Sequence, residues 1–179
     1  MVADTQIPAP LPVILFLDAS SLVKLYQDEP GAETMRELFE SPELVGAFFV
    51  SELVSLEVLV RLAKEARSGR RRERRRLWRV LKEHAHHRAT HLTVLDVEPG
   101  VIREAGSIAI AYSDSGAGTL DLLHAASAQQ VRELVPHEPL VFVAADRKLR
   151  SLAERIGFQT FDPENGDPAL LTPSRLAAG

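Results

Sequence analysis

Residues 13–18 read Val13-Ile14-Leu15-Phe16-Leu17-Asp18, five consecutive apolar side chains followed by an acid. An apolar run this short, without polar alternation, is typical of a strand buried on both faces, as in a parallel sheet. Further runs of this kind occur at 45–50 and 140–144, with shorter candidate strands at 92–95 and 158–161. Helical patterns fill the intervals between them. This alternation predicts an α/β domain with a central, mostly parallel sheet flanked by helices.

The limits of the predicted helices come from capping residues and from proline or glycine breaks. Ser20 or Ser21 is expected to cap a first helix that runs to about Gln27, and Thr119 to cap the helix at 120–134. The remaining helices are predicted at 32–40, 52–67, 70–88, 99–112 and 147–156. We expect residues 13–163 to form one domain, with a lead-in at 1–12 and a tail at 164–179.

The composition of the 179-residue chain, 45% hydrophobic and 26% charged, is that of a soluble globular protein. Cysteine is absent, which excludes disulfides, thiolate zinc sites and a cysteine nucleophile. No apolar run approaches the roughly 18 residues that a membrane span needs. The first residues lack the basic region of a secretory signal. The sequence therefore predicts a cytoplasmic protein without a membrane contact.

Charge is distributed unevenly along the chain. Residues 61–91 contain twelve basic and three acidic residues, a net charge of +9, although the whole chain carries −4. A basic segment on an acidic body predicts contact with a polyanion, and a solvated helix face is the other interpretation. The apolar stripe of this helix is expected at Leu77, Trp78 and Leu81.

Four acids occupy positions where α/β sheets build functional sites. Asp18 and Asp146 follow predicted strands, so both emerge at the same sheet edge. Glu57 lies within an apolar helix, and Asp121 in the first turn of another. Buried acids are costly unless a positive charge neutralises them, and these stretches contain no suitable Lys or Arg. Carboxylate oxygens suit Mg²⁺ or Mn²⁺, so the predicted catalytic and metal-binding set is Asp18, Glu57, Asp121 and Asp146.

Each acid also has a purely structural interpretation. Asp18 and Asp146 are suited to helix capping, and Asp121 to the positive end of its helix. Glu57 is the hardest to explain in this way, because a mid-helix acid among aliphatic side chains needs a partner. We expect Ser20 either to orient Asp18 or to cap the helix, and His124 to pack or hydrogen-bond rather than to ligate a metal.

The acids lie within four motifs that together resemble those of a known family. The motifs are Ile14–Leu22 (ILFLDASSL), Ser51–Glu57 (SELVSLE), Thr119–Ala126 (TLDLLHAA) and Val141–Leu149 (VFVAADRKL). They resemble the PIN domain, and within that superfamily the VapC-type toxins. The resemblance implies a three-layer sandwich, a Mg²⁺-dependent endoribonuclease acting on single-stranded or looped RNA, a cognate antitoxin and a homodimer. Ala144 stands where the fourth motif often carries Ser or Thr.

Two alternatives from other classes remain at this point. One is a non-catalytic or housekeeping PIN-like module that binds or processes RNA. The other is a different phosphotransfer enzyme, but Asp18-Ala19-Ser20 lacks the Asp-x-Asp of haloacid-dehalogenase-type phosphatases, and no P-loop motif occurs. If the chain has an antitoxin, the family resemblance favours a groove for it on the early apolar helices, formed by Leu22, Val23, Leu25, Tyr26, Leu38 and Phe39.

Overall fold

The computed structural model describes residues 12–65 and 71–172 of the chain. Most of the predicted lead-in, positions 66–67 and 70 of two predicted helices, and the tail from residue 173 lie outside the described residues.

Five parallel strands form the central sheet. They are β1 (Val13–Leu17), β2 (Val45–Ser51), β3 (Leu92–Leu95), β4 (Leu140–Val143) and β5 (Gln159–Phe161). Their order across the sheet is β3-β2-β1-β4-β5, and each of these neighbouring pairs is parallel. The predicted α/β fold is therefore confirmed, and β1 and β4 are neighbours whose carboxyl ends lie side by side.

The helices alternate with the strands as predicted. They are α1 (Ala19–Leu22), α2 (Ala32–Phe39), α3 (Glu52–Glu65), α4 (Arg71–Thr90), α5 (Pro99–Ala111), α6 (Thr119–Leu134) and α7 (Arg147–Arg155), with 3-10 turns at Val23–Leu25 and Pro168–Leu171. No described helix has the length and apolar character that crossing a membrane requires.

Two predicted helix caps are wrong. The side chain of Asp18 caps α1 by accepting a hydrogen bond from the Ser21 amide, so neither Ser20 nor Ser21 is the cap. At α6 the N-cap position is held by Gly118, and Thr119 is the first helical residue. In both cases the helix begins earlier than predicted. An aspartate carboxylate, Asp18 for α1 and Asp121 for α6, accepts a hydrogen bond from a backbone amide at the helix start.

The sheet is covered by helices on both faces, as a three-layer sandwich requires. Successive side chains of a strand point to opposite faces. Leu15 of β1 joins a core cluster that includes residues of α1, α2, α3 and α4. Its neighbour Phe16 joins a second cluster with Ala128 and Val131 of α6 and residues of α7. This arrangement explains why β1 is uninterrupted by polar residues.

The hypothesis of an antitoxin groove on the early helices is wrong for three of the six residues that suggested it. Leu22, Val23 and Leu38 are completely buried, and Leu25 and Tyr26 nearly so. All five belong to the core cluster on the α1 face of the sheet, so Leu22, Val23 and Leu38 are not exposed to a partner. Leu25 and Tyr26 also line the wall of an open cavity beside α4.

The apolar stripe of α4 also differs from the prediction. Val80 and His84 are buried and Leu77 is half-buried, whereas Trp78 is 64% exposed. Residues 77, 80 and 84 follow helical spacing and share one face, so that packing against the body turns position 78 outward. The sequence pattern failed here because arginines surround every apolar residue in this half of the helix.

The described part of the predicted tail packs against the domain. The Glu164 carboxylate lies 2.7 Å from the buried Lys24 ammonium, which also pairs with Glu29 at 3.3 Å. Leu171 is buried in the core cluster that contains β1. A buried ammonium needs such partners, so these residues contribute to the fold beyond position 163.

His84 predicts how stability depends on pH. Its ring is 2% exposed, and its Nδ1 lies 3.1 Å from the hydroxyl of Tyr26. Burial, followed by the charges of Arg88 and His87, lowers the pKa of His84 to about 4. An unfolded histidine titrates near pH 6.5, so between about pH 6.5 and 4 the unfolded state binds this proton more readily. The stabilisation is complete above that window and declines as the pH falls through it.

We expect the free energy of unfolding to drop by about 1–2 kcal/mol more in the wild type than in His84→Gln between pH 7 and pH 4.5. Urea titrations at the two pH values measure the difference. The exposed His137 provides the control, because His137→Gln should keep the wild-type dependence. Equal losses in His84→Gln and in the wild type would contradict this assignment.

Candidate active site

Asp18 lies at the carboxyl end of β1 and is only 4% exposed. Its Oδ1 accepts hydrogen bonds from the Ser20 hydroxyl and from the Ser21 amide, each at 2.9 Å. Burial raises the pKa of the Asp18 carboxyl, and the hydrogen bonds from Ser20 and Ser21 and the charge of His124 oppose that rise. Its charged form is therefore costly and would be stabilised by a cation.

Ser20 connects Asp18 to the loop that follows β4. Its hydroxyl donates to Asp18 and accepts from the Ala145 amide at 2.8 Å and from the Asp146 amide at 3.4 Å. The predicted role of Ser20 in orienting Asp18 is therefore confirmed. Sequence reasoning considered Ser21 only as a helix cap. Its buried hydroxyl instead donates to the carbonyls of Asp18 and Val143, 2.9 Å from each. A small polar residue at a helix start carries no distinguishing signal in the sequence.

Asp146 follows the end of β4 and caps α7. Its Oδ1 accepts from the amides of Lys148 at 2.7 Å and Leu149 at 3.1 Å, so its structural interpretation is correct. The side chain is exposed at the sheet edge. A capping contact uses one carboxylate oxygen and does not exclude a second role for the other.

Arg150 holds the same loop from the other side. Its Nη1 donates to the carbonyls of Ala144 at 2.7 Å and Ala145 at 2.8 Å, and its Nη2 pairs with Asp162 at 2.8 Å. Sequence reasoning missed this residue, because an arginine on a surface helix is ordinary. These contacts fix the loop without a side-chain hydroxyl at position 144.

Glu57 on α3 is paired with His124 on α6. The Glu57 Oε2 and His124 Nε2 atoms are 2.6 Å apart, and the histidine is buried. The expectation that Glu57 is a buried acid is only partly right. Its side chain is 29% exposed, because it lies beside the solvent-facing side of α3, where Leu56 and Val60 are also exposed. The partner is a histidine from another helix, which joins α3 to α6.

Asp121 lies in the first turn of α6, one turn before His124. Its Oδ2 accepts a hydrogen bond of 2.8 Å from the Gly118 amide, which closes the helix start. Residues three apart on a helix share a face. Asp121 therefore lies on the side of α6 from which His124 contacts Glu57.

The four acids share one feature. Each uses a single carboxylate oxygen for its hydrogen bonds: Oδ1 of Asp18, Oε2 of Glu57, Oδ2 of Asp121 and Oδ1 of Asp146. Within residues 12–65 and 71–172, no hydrogen bond engages the other oxygen of any of them. One oxygen thus orients each side chain, and the second is available to a ligand.

The acids divide into two linked groups. Ser20 joins Asp18 to the Asp146 loop, and His124 joins Glu57 to the helix of Asp121. As they stand, the described residues contain no group of three or more Asp, Glu or His side chains arranged to hold a metal ion. The all-oxygen donor set and the buried carboxylate of Asp18 have the chemistry that suits a hard divalent cation.

A family model of the PIN domain matches residues 15–155. The chain belongs to the PIN domain family. This match confirms the resemblance identified from the four motifs. Three of the motifs lie within the matched range, and the first begins one residue before it. No curated protein matches the chain.

Solved structures resemble this PIN domain over nearly their full length. PAE2754 from Pyrobaculum aerophilum is 25% identical, with 94% of this chain and 100% of that chain covered and a TM-score of 0.54. Mycobacterium tuberculosis VapC20, a sarcin–ricin loop cleaving toxin, is 18% identical, with coverage of 80% and 95% and a TM-score of 0.57. FitAcB from Neisseria gonorrhoeae is 16% identical, with coverage of 85% and 99% and a TM-score of 0.59. The predicted PIN-like fold is thereby confirmed.

Proposed function

We propose that this PIN domain is a divalent-metal-dependent endoribonuclease and the toxin of a type II toxin–antitoxin pair. The observation that carries the proposal is that each of the four acids has one oxygen anchored by the protein and one not, with Asp18 and Asp146 at the same sheet edge. Membership of the PIN family supports a nuclease. RNA is the proposed substrate because the similar structure of VapC20 is described as that of a sarcin–ricin loop cleaving toxin.

The chain's own residues would position the reacting groups. Asp18, Glu57, Asp121 and Asp146 would hold Mg²⁺, or alternatively Mn²⁺, through their free oxygens. The bound ion would make water a stronger nucleophile and stabilise the charge on the leaving oxygen of the phosphodiester. Ser20 keeps Asp18 and the Asp146 loop in register, and His124 holds the Glu57 carboxylate in place. No side chain of the protein needs to act as a nucleophile.

Removal of the metal tests this proposal. We expect purified protein to cleave total bacterial RNA in Mg²⁺ or Mn²⁺, to lose that activity in EDTA, and to regain it when excess Mg²⁺ is added, because the four carboxylates need a cation to act. Gel analysis and sequencing of the new RNA ends measure cleavage. Cleavage that persists unchanged in EDTA would contradict the proposal.

The alternative proposal is a non-catalytic or housekeeping PIN-like module that binds or processes RNA. Two observations favour it: the arginine-rich α4, and Ala144 in place of a hydroxyl near Asp146. Calorimetric titration of Mn²⁺ separates it from the toxin. Binding of Mn²⁺ and RNA without turnover would favour the module.

The proposed partners are an antitoxin and a second copy of the chain. Similar structures include FitAcB and a toxin–antitoxin complex from Klebsiella pneumoniae. The acidic sheet edge would accept a Lys or Arg side chain from an antitoxin, and exposed Leu56 on α3 and Ile102 and Ile110 on α5 would be buried by dimerisation. These partners and an RNA substrate imply a cytoplasmic protein. Light scattering, with and without the product of an adjacent upstream reading frame, tests both contacts.

A further inference from the structure

The outer face of α4 carries an exposed aromatic ring among arginines. Trp78 is 64% exposed and, with Arg71, Arg74 and Arg75, lines an open cavity of about 460 Å³. The arginines precede the tryptophan by seven, four and three residues, so all four side chains share one helical face. This face is opposite to the one that packs against the body through Val80 and His84.

The three arginines are not committed to the fold. No ion pair among the described residues engages Arg71, Arg74 or Arg75, whereas Arg61 and Arg88 do pair with acids. An exposed indole offers a large, flat apolar face that a partner can cover. Free guanidinium groups around an uncovered ring therefore indicate an anionic partner that also carries flat apolar groups.

The basic surface extends around the helix. A larger cavity of about 1070 Å³ lies between α4 and the segment that contains Asp28 and Arg36, and it shares Arg71 and Arg75 with the first cavity. Arg72, Arg76 and Arg79 also line it, with only Asp28, Glu73 and Glu83 as acidic neighbours. A continuous positive path therefore crosses α4 beside the tryptophan.

We propose that this α4 surface binds single-stranded RNA, with Trp78 stacking on an unpaired base and Arg71, Arg74 and Arg75 contacting the phosphates. Single strands are recognised by aromatic stacking combined with a basic track. An acidic peptide would match the charge but would leave the indole without a flat partner. A second copy of the chain would bring two arginine-rich faces together. The surface uses none of the four acids, so it goes beyond the proposed cleavage.

Trp78 reports on its own contact, because it is the one tryptophan in the sequence. We expect a 12-nucleotide oligoadenylate RNA in EDTA, where cleavage plays no part, to quench the fluorescence of the protein. A duplex of the same length should quench it much less. Loss of one stacked base should weaken the binding of Trp78→Ala about 5- to 150-fold, measured by anisotropy of labelled RNA.

Matched variants separate stacking from charge and from loss of fold. Trp78→Phe should bind within about threefold of the wild type, and Leu134→Ala, which removes an exposed apolar side chain from α6, should not change binding. The double variant Arg74→Gln/Arg75→Gln should reduce the slope of log K against log salt by about 1.4, since each phosphate contact in a single strand contributes about 0.7. Arg103→Gln on α5 is its control.

Three results would overturn the proposal. One is RNA binding that does not quench Trp78 fluorescence, or an RNA affinity that is equal in Trp78→Ala and Leu134→Ala. Another is polyglutamate that competes with the RNA and produces the same quenching, which would assign the surface to an acidic peptide. The third is light scattering that shows a dimer in the wild type but a monomer in Trp78→Ala, which would assign it to self-association. RNA cleavage is not measured in any of these assays, so a failure of the nuclease proposal remains distinguishable.

Discussion

Replacing Asp18 with asparagine is expected to reduce RNA cleavage about 100-fold or more and to leave the fold intact. Asparagine keeps a side-chain oxygen that can accept from Ser20 and from the Ser21 amide, so the contacts that cap α1 survive. It removes the negative charge that a divalent cation requires. Because burial opposes that charge, the variant should melt at the wild-type temperature or above it in EDTA.

Two measurements together decide the role of Asp18. Initial cleavage rates in Mg²⁺ report the chemistry, and thermal unfolding with and without Mg²⁺ reports the binding of the ion. The wild type should be stabilised by Mg²⁺ and Asp18→Asn much less so. Asp167→Asn is the control, because Asp167 also caps a helical turn but does so with an exposed carboxylate. If the Asp18→Asn variant cleaved RNA at the wild-type rate, Asp18 would have no role in cleavage.

The sheet and half of the site could be predicted from strand ends alone. An apolar run followed by an acid determines both the buried strand and the edge at which the acid emerges, so the shared edge of Asp18 and Asp146 followed from their positions after β1 and β4. Helix starts were less predictable. Several side chains near each helix start can accept a hydrogen bond from a backbone amide. Backbone geometry, which the sequence does not specify, decides that Asp18 rather than Ser20 or Ser21 caps α1.

The partner of Glu57 shows a second limit of sequence reasoning. The nearest basic residue along the chain, Arg61, lies one helical turn after Glu57 but pairs with Glu29. The partner of Glu57 is instead His124, which is 67 residues away. The helical spacing of Asp121 and His124 places both on one face of α6, but it does not say which helix packs opposite. Contacts between helices depend on the order of the strands, and that order emerges only when the sheet is assembled.

Asp121→Asn distinguishes a purely structural role of Asp121, stabilising the start of α6, from a role in holding the cation. Asparagine can still accept from the Gly118 amide, so the start of α6 is retained. Loss of a charge near the positive end of a helix costs about 0.3–1 kcal/mol. If Asp121 only stabilises the helix, this modest loss in the free energy of unfolding is the whole effect. If its free oxygen holds the cation, RNA cleavage should also fall about 100-fold.

Glu98→Gln is the matched control for Asp121→Asn. Glu98 occupies the N-cap position of α5 without a side-chain capping bond, so its replacement also removes an acid from a helix start. Urea unfolding should show similar small losses in the two variants, while only Asp121→Asn loses cleavage. Activity within about threefold of the wild type in both would leave Asp18, Glu57 and Asp146 as the site. Because both variants remove an acid from the start of a helix, a difference in cleavage between them reports a role of Asp121 beyond stabilising that helix start.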